Sequence, residues 1–207
     1  MNTLEAIETR RAVKHYDPDH LFSSGEVDAI ISSAMFSPTS YNIQHWRFVH
    51  VTDAAIRQQI REAAWDQAQI TDASMLLVLC ADLKAWERQP ERYWRDAPEE
   101  TRNTMVQMLS DFYRDKEQLQ RDEAMRSIGI AAQTIMLTAK DMGYDSCPMI
   151  GFDSDAVAEI INLPEDHVIG MLISVGKAST EARARGGQLS RDEVVIQNRF
   201  EAVIATV

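Results

Sequence analysis

The sequence predicts a single α+β domain that spans residues 1–207. Segments with the periodicity of helices and of strands are interspersed along the whole chain. The stretch "AMRSIGIAAQTIMLTAKDMG", residues 124–143, is small and apolar almost all round, which is typical of a helix that is buried on every side. A strand pattern returns as late as residue 168, and no repeat, linker or low-complexity segment divides the chain.

The first part of the chain predicts two short helices. Residues 3–9 carry apolar side chains at i and i+3 behind a capping Asn2. Residues 25–35 have the apolar spacing of a second helix, and Pro38 is its expected terminator.

Three later segments predict buried strands. They are "WRFVHV" at 46–51, "SMLLVLCAD" at 74–82 and "VIGMLISVG" at 168–176. The second and third are nearly continuous apolar runs, as in strands that are covered on both faces. Between the first two strands, residues 53–69 have helical spacing.

The segment 83–123 is mostly charged and aromatic. We expect an irregular excursion over its first half and an amphipathic helix over 101–123. The apolar helix that follows should stop at Gly143, a position that suits glycine. Because that helix requires burial on every side, a chain of this length suggests that it lies at a subunit interface.

Composition and charge limit the partners. Hydrophobic residues make up 45% of the chain, which is ample for a packed core, and the formal net charge is −11. That charge argues against nucleic acid and anionic membrane surfaces as partners. The absence of a long apolar run and of a signal-peptide pattern predicts a soluble cytoplasmic protein. Cys80 and Cys147 are far apart and predict no disulfide framework.

The common catalytic motifs are absent from the sequence. No G-x-G-x-x-G follows a strand, and no P-loop, H-E-x-x-H or G-x-S-x-G is present. The five histidines are isolated from one another, so we expect no metal site.

The positive signal is cationic charge in an acidic protein. Two clusters border the ends of predicted elements: Arg10, Arg11 and Lys14 after the first helix, and Arg183, Arg185 and Arg191 after the last strand. Guanidinium groups supply the forked donors that a phosphate needs. The alternative is two solvated surface patches.

Two loops also have unusual compositions. "SPTSYNIQHW", residues 37–46, crowds hydroxyls and amides beside a buried strand. "DSCPMIGFD", residues 145–153, combines Pro148 with Gly151, which predicts an extended segment and then a close backbone approach. Each loop is either the rim of a binding pocket or an ordinary connection.

Five segments resemble, in the same order, segments of the FMN-dependent nitroreductase family. They are "RRAVKHYD", "SPTSYNIQHWRFV", "TDASMLLVLCAD", "GIAAQTIMLTAKDMGYDSCPMIGFD" and "LISVGKASTEARARGG". The resemblance runs from Arg10 to about Val195 and leaves 83–123 as the variable part. It implies a nitroreductase-like homodimer with a mixed central sheet flanked by helices, a long buried helix at the dimer interface and two FMN molecules there.

The resemblance also implies which residues bind FMN. One edge of the cofactor would be held by Arg10, Arg11, Ala12 and Lys14. Arg10 would bind the phosphate, and Lys14 would lie near N1 and the C2 carbonyl, where a cation stabilises reduced flavin. Arg183 or Arg185 would complete the phosphate clamp, and the spacing does not decide between them.

Three further groups complete the implied cofactor site. The flavin of the opposite subunit would be reached by Pro38, Thr39, Ser40 and Asn42. A ring edge would be met by Asp66 and Gln69. One flavin face would be lined by Pro148, Met149, Ile150 and Gly151, with a backbone N–H near Gly151 directed at N5.

The sequence departs from the family pattern at several positions. Ala12 stands where many relatives have a serine hydroxyl, Ile150 where some have an acidic residue, and Gln69 where some have a lysine. These departures bear on the redox potential and on the choice of acceptor. The aromatic residues of the variable segment either cover the substrate side of the flavin or pack locally: Trp86, Tyr93, Trp94 and Phe112.

The resemblance implies an FMN-dependent NAD(P)H oxidoreductase with ping-pong kinetics. The acceptor would be an electron-poor compound such as a nitroaromatic or a quinone, and the hydride step needs no side-chain acid or base. Two alternatives stay open: the same fold with dehalogenation, ring dehydrogenation or flavin cleavage, and a non-enzymatic FMN-binding dimer. The sequence does not distinguish NADH from NADPH.

Overall fold

The computed structural model describes residues 1–200. The helices are α1 (Thr3–Thr9), α2 (Ser24–Ala34), α3 (Ala54–Ala63), α4 (Gln69–Asp72), α5 (Glu99–Tyr113), α6 (Glu117–Asp141), α7 (Ser154–Ile160) and α8 (Arg191–Val194). The strands are β1 (Trp46–His50), β2 (Met75–Asp82), β3 (Asp145–Met149) and β4 (His167–Gly176). None of the helices in this part of the chain has the length and hydropathy to span a membrane.

The four strands form one sheet in the order β1-β2-β4-β3, and each neighbouring pair is antiparallel. Every residue of the central strand β2 is buried, which explains its continuous apolar run. Within residues 1–200, the parallel component of the expected mixed sheet is an isolated bridge between Ala12 and Ser146. The segment 145–149, predicted only as extended, is the edge strand β3.

Helices cover both faces of the sheet. On one face α2 and α6 pack around buried residues that include Leu77 and Ile128. On the other face α3, α4 and α7 pack around a second cluster that includes Ile60 and Leu172. Burial of apolar area in these two layers is the main stabilising contribution to the fold.

The variable segment has a small core of its own. Trp86, Leu109 and Tyr113 pack together beneath it, so Trp86 contributes to local packing. The first half is irregular as expected, with one 3-10 turn at Pro90–Trp94.

Two predicted helices are wrong in extent. The helix expected over 101–123 is divided, because Asp115 adopts a left-handed backbone with φ of 58° between α5 and α6. The helix expected over 53–69 ends at Ala63, because Trp65 and Asp66 are left-handed too, with φ of 54° and 56°. No pattern of residue types in the sequence predicted either helix end.

Helix α6 ends where the sequence predicts, but it is not buried on every side. Gly143 has φ of 85°, and the amide N–H of Tyr144 donates to the Ala139 carbonyl at 2.9 Å, which closes the helix in a Schellman motif. A single chain does not bury the helix all round, and the predicted subunit interface stays a prediction. An exposed α6 stripe remains at Arg126, Gly129, Ile130 and Gln133.

Candidate functional site

The residues that follow α1 lie along the edge of the sheet. Ala12 bridges Ser146 of β3, and the Val13 amide N–H donates to the Ser146 carbonyl at 3.1 Å. A few residues later, the Ser179 amide N–H donates to the His15 carbonyl at 3.0 Å. The N-terminal segment therefore lies between β3 and the chain that follows β4.

This arrangement brings the two cationic clusters together. A cleft of about 430 Å³, here called the arginine cleft, is lined by Arg10, Arg11, Ala12, Pro148 and residues 183–188. The predicted ligands from opposite ends of the chain thus share one cavity. Arg191 begins α8 and is not among the lining residues.

The arginine cleft has an excess of positive charge. None of the described residues that line it carries a carboxylate. The pKa of Arg10 is lowered, first by burial and then by repulsion from Arg185 and Arg11. A cavity that holds like charges close together favours an anionic ligand.

The two candidate clamp arginines differ in their contacts. The Arg185 Nη2 donates to the carbonyls of Ile7 at 3.2 Å and Arg10 at 3.3 Å, at the C-terminal end of α1. Arg183 lines the arginine cleft and also an adjoining cavity of about 390 Å³ that contains Lys14. Arg185 therefore fastens the segment to α1, whereas Arg183 faces both cavities.

Lys14 lies on the same side of the sheet as Arg10. Burial raises the pKa of the Cys147 thiol, and the charges of Lys14 and Arg10 partly oppose that rise. Cys147 is 3% exposed and packs in the core, so it marks where the cations lie and offers no accessible nucleophile.

The loop at 65–69 contacts the segment that follows β3. Gln67, which the sequence did not single out, donates from Nε2 to the Gly151 carbonyl at 2.7 Å. Trp65 packs over Gly151 so closely that a Cβ there would lie 2.8 Å from the indole Cζ3. Of the two predicted residues, Gln69 is buried against Gln67, and Asp66 accepts from Arg61 at 2.6 Å.

The four predicted ring-face residues are not equivalent. Pro148 lines the arginine cleft, and Ile150 is 81% exposed. Met149 is 5% exposed and its side chain packs in the core, so only its backbone is available to a ligand. Strand alternation in β3 explains the difference.

The loop that contains Pro38, Thr39, Ser40 and Asn42 lies elsewhere. Asn42 Nδ2 donates to the Tyr93 carbonyl at 2.8 Å, and Trp94 Nε1 donates to the Tyr41 carbonyl at 3.1 Å. The loop therefore packs against the variable segment. It contributes no residue to the arginine cleft within the part of the chain described.

One acidic cluster has a geometry that resembles a metal site. Potential ligand atoms of Asp82, Asp166 and His167 lie within 4.8 Å of one another. Arg47 approaches Asp82 at 3.1 Å, and Arg88 pairs with both carboxylates. The cluster is thus an ion-pair network that ties the variable segment to β4.

The chain is similar to several known proteins. A model of the nitroreductase family matches residues 7–177. Protein DrgA of Synechocystis sp. is 52% identical over 182 residues, which cover 88% of this chain and 87% of that protein. The oxygen-insensitive NADPH nitroreductase of Helicobacter acinonychis is 33% identical, with 86% and 88% covered.

A solved structure extends the likeness to the fold. A protein from Exiguobacterium sibiricum, in complex with FMN, matches with a TM-score of 0.88 at 26% identity, and 95% of this chain and 97% of that chain are covered. The α+β fold class expected from the sequence is confirmed. The chain therefore belongs to the nitroreductase family.

Proposed function

We propose that this chain is an FMN-dependent NAD(P)H oxidoreductase that passes a hydride to an electron-poor acceptor such as a nitroaromatic or a quinone. The observation that carries the proposal is the arginine cleft, where cationic segments from both ends of the chain meet beside Pro148. The name of the Helicobacter relative and the FMN of the Exiguobacterium structure support this assignment.

The residues of the arginine cleft fit the phosphate of FMN. Arg10, Arg11 and Arg183 offer forked donors without a competing carboxylate in the lining. A phosphate dianion would relieve the repulsion that lowers the pKa of Arg10. Gly187, with φ of 152°, lets the backbone follow a path that side chains disfavour. Ala12 supplies backbone and no hydroxyl.

The neighbouring loops fit the ring system. FMN, when bound, supplies a ring that can accept and donate hydride. Pro148 and the backbone of Ile150 and Gly151 would lie along one ring face, and Lys14 would place positive charge at the ring edge. Gln67 holds the Gly151 carbonyl at 2.7 Å and so fixes the orientation of that peptide. Orientation is the contribution required, since hydride transfer needs no side-chain proton donor.

We also propose that the active form is a homodimer. The exposed α6 stripe contains Ile130, and other exposed apolar residues include Leu4 at 70% and Phe36 at 88% exposure. Surface of this kind is typical of an interface. A second copy would also explain the loop at 38–42, which has ligand-type side chains but no place in its own chain's arginine cleft.

An anaerobic visible spectrum tests the function most directly. The purified protein, reconstituted with FMN, should show flavin bands that bleach on addition of NADH or NADPH and return with a nitroaromatic or quinone. Initial rates at varied donor and acceptor should give the parallel lines of ping-pong kinetics. Arg183→Gln should weaken FMN binding by roughly tenfold, as loss of a charged hydrogen bond implies.

Arg121→Gln is the matched control, because it removes an exposed arginine of α6 outside every cavity described above. A protein that binds no FMN would refute the assignment. A protein that binds FMN tightly but is reduced by neither donor would refute the reductase function and leave the cofactor site intact.

A further inference from the structure

A second cavity, here called the excursion pocket, has a volume of about 420 Å³ and lies between the loop before β1 and the variable segment. One wall is formed by Asn42, Gln44, Trp46 and Arg47. The other is formed by Arg92, Tyr93, Arg95 and Asp96, so three arginines and one carboxylate line the pocket. It shares no lining residue with the arginine cleft.

The walls of the excursion pocket are held in place by hydrogen bonds. Asn42 Nδ2 donates to the Tyr93 carbonyl at 2.8 Å, which joins the two walls directly. The Tyr93 hydroxyl donates to the Ala85 carbonyl at 2.9 Å, and Trp94 Nε1 donates to the Tyr41 carbonyl at 3.1 Å. The pocket is therefore preformed, which reduces the entropic cost of binding a ligand.

The arginines of the excursion pocket differ in how many of their donors are engaged. Arg47 is engaged by Asp82 at 3.1 Å and by the Trp46 carbonyl at 2.9 Å. Within residues 1–200 the Arg92 side chain makes one hydrogen bond, to the Tyr93 hydroxyl at 2.8 Å, and the Arg95 side chain pairs only with Asp96, at 3.8 Å. Two guanidiniums thus keep most of their donors unused, in a protein whose net charge is −11.

An aromatic residue adds an apolar surface to the pocket. Trp46 is 6% exposed and lines it, and its indole nitrogen is buried, so a ligand would contact the ring and not the N–H. The combination of forked cations, amides and an aromatic ring is suited to a phosphate-bearing ligand with an adjoining aromatic group.

We propose that the excursion pocket binds a phosphate group of the nicotinamide donor, with Arg92 and Arg95 as its ligands. This inference rests on the proposed function. The pocket begins at Asn42, on the loop that we propose reaches the cofactor, and extends to the two arginines. A donor bound there would have its nicotinamide directed toward that loop and its phosphates under the guanidiniums.

Equilibrium binding tests the pocket without turnover. The FMN-loaded protein is titrated calorimetrically with adenosine 2′,5′-bisphosphate, with ADP and with inorganic phosphate. We expect the double variant Arg92→Gln, Arg95→Gln to bind the nucleotides at least roughly tenfold more weakly. Arg114→Gln, Arg121→Gln removes the same two charges from exposed positions outside the pocket and should bind as the wild type does.

The two nucleotides identify which phosphate is bound. Tighter binding of the bisphosphate than of ADP would assign the pocket to the 2′-phosphate of NADPH, and tighter binding of ADP would assign it to the pyrophosphate that both donors carry. Equal binding would assign it to the 5′-phosphate of the adenosine, which both nucleotides share. No binding of either nucleotide to the wild type, or equal binding to the wild type and the Arg92, Arg95 double variant, would overturn the proposal.

Steady-state kinetics distinguish donor binding in the excursion pocket from the proposed reductase activity. In the double variant we expect KM for the donor to rise with kcat unchanged, since a remote contact is lost equally from ground and transition states. FMN retention should be unaffected. If the wild type's flavin is reduced by neither donor, the proposed function fails while the titrations still report on the pocket.

A conservative variant distinguishes a loss of nucleotide binding from a loss of folding. Arg92→Lys, Arg95→Lys keeps the charge and removes the fork, so nucleotide binding should fall less than in the glutamine variant. If the lysine variant, correctly folded, binds nucleotide as the wild type does and the glutamine variant is unfolded, the specific guanidinium contacts are refuted.

Discussion

Among single residues, His45 is a titratable group that is buried beside α6. It is 1% exposed, and its Nδ1 lies 3.2 Å from the Ser127 hydroxyl. Burial is the main cause that lowers the pKa of His45 to about 4; Asp82 opposes the change and Arg47 adds to it. The imidazole is therefore neutral in the folded protein at physiological pH.

This environment predicts acid sensitivity. Between pH 6.5 and about 4 the unfolded chain binds a proton at His45 and the folded chain does not. The free energy of unfolding should therefore fall as pH falls, by about 2–3 kcal/mol from pH 7.5 to pH 4.5 through this residue. Urea unfolding across that range measures the slope.

His45→Gln should flatten that slope, whereas His15→Gln, at an exposed position, should preserve it. If His45→Gln retained the full pH dependence, another group would be responsible. Carboxylates titrating below pH 5 contribute equally to both variants, so the comparison isolates the imidazole.

At the scale of elements, α6 packs tightly against β4 at Gly170. A Cβ placed on Gly170 would lie 2.7 Å from Cγ2 of Ile128, which is fully buried. The small residue in β4 is what allows the helix to approach the sheet this closely. Ile128 cannot move away without disturbing the core around it.

Gly170→Ala should therefore destabilise the protein by overpacking, by about 1–3 kcal/mol. Chemical denaturation would measure this as a lower midpoint with an unchanged m-value. Gly25→Ala in α2 is the control, because nothing lies within 4 Å of its added Cβ. That substitution should be neutral or slightly stabilising, and a Gly170→Ala protein as stable as this control would contradict the packing argument.

The sequence predicted those elements whose pattern is local. Continuous apolar runs located β2 and β4, and Gly143 located the end of α6. The breaks at Trp65 and Asp115 were missed because tryptophan rarely adopts a left-handed backbone. Aspartate adopts it more often than most residues but is common in other conformations too, so neither residue marked a helix end.

The residues alone predicted the ligand types of the candidate site, whereas its assembly was expected only from the family resemblance. Arg10 and Arg183 were singled out by charge, but no sequence pattern encodes the bridge between Ala12 and Ser146 that aligns the N-terminal segment with β3. Gln67 was missed because it has the same side chain as Gln69, and the sequence does not show which of the two contacts Gly151. Burial of Met149 follows from strand pairing that the sequence had not predicted.

For the whole molecule, the distribution of exposed apolar surface matters most. Phe36 at 88% and Ile130 at 43% exposure are costly to leave in water. Covering them by a second copy would remove that cost and would place the loop at 38–42 against another chain.

The double variant Phe36→Ser, Ile130→Lys should therefore shift the protein from dimer to monomer in light scattering after size exclusion, and it should lose bound FMN in parallel. Leu21→Ser removes an equally exposed apolar residue, at 78% exposure, near the opposite end of α2. It should leave the mass unchanged. A wild type that is monomeric with FMN bound would refute the homodimer.

The segment that lines the arginine cleft has a second consequence, which concerns solubility. β3 is an edge strand of the sheet, and exposed edges can add strands from other molecules. Here the Val13 amide N–H donates to the Ser146 carbonyl of β3, so that carbonyl cannot accept from another strand. Pro148 has no amide N–H to donate to an incoming strand. A substitution that loosens residues 12–13 should therefore cause aggregation as well as weaker ligand binding, and the two failures would arise from one detached segment.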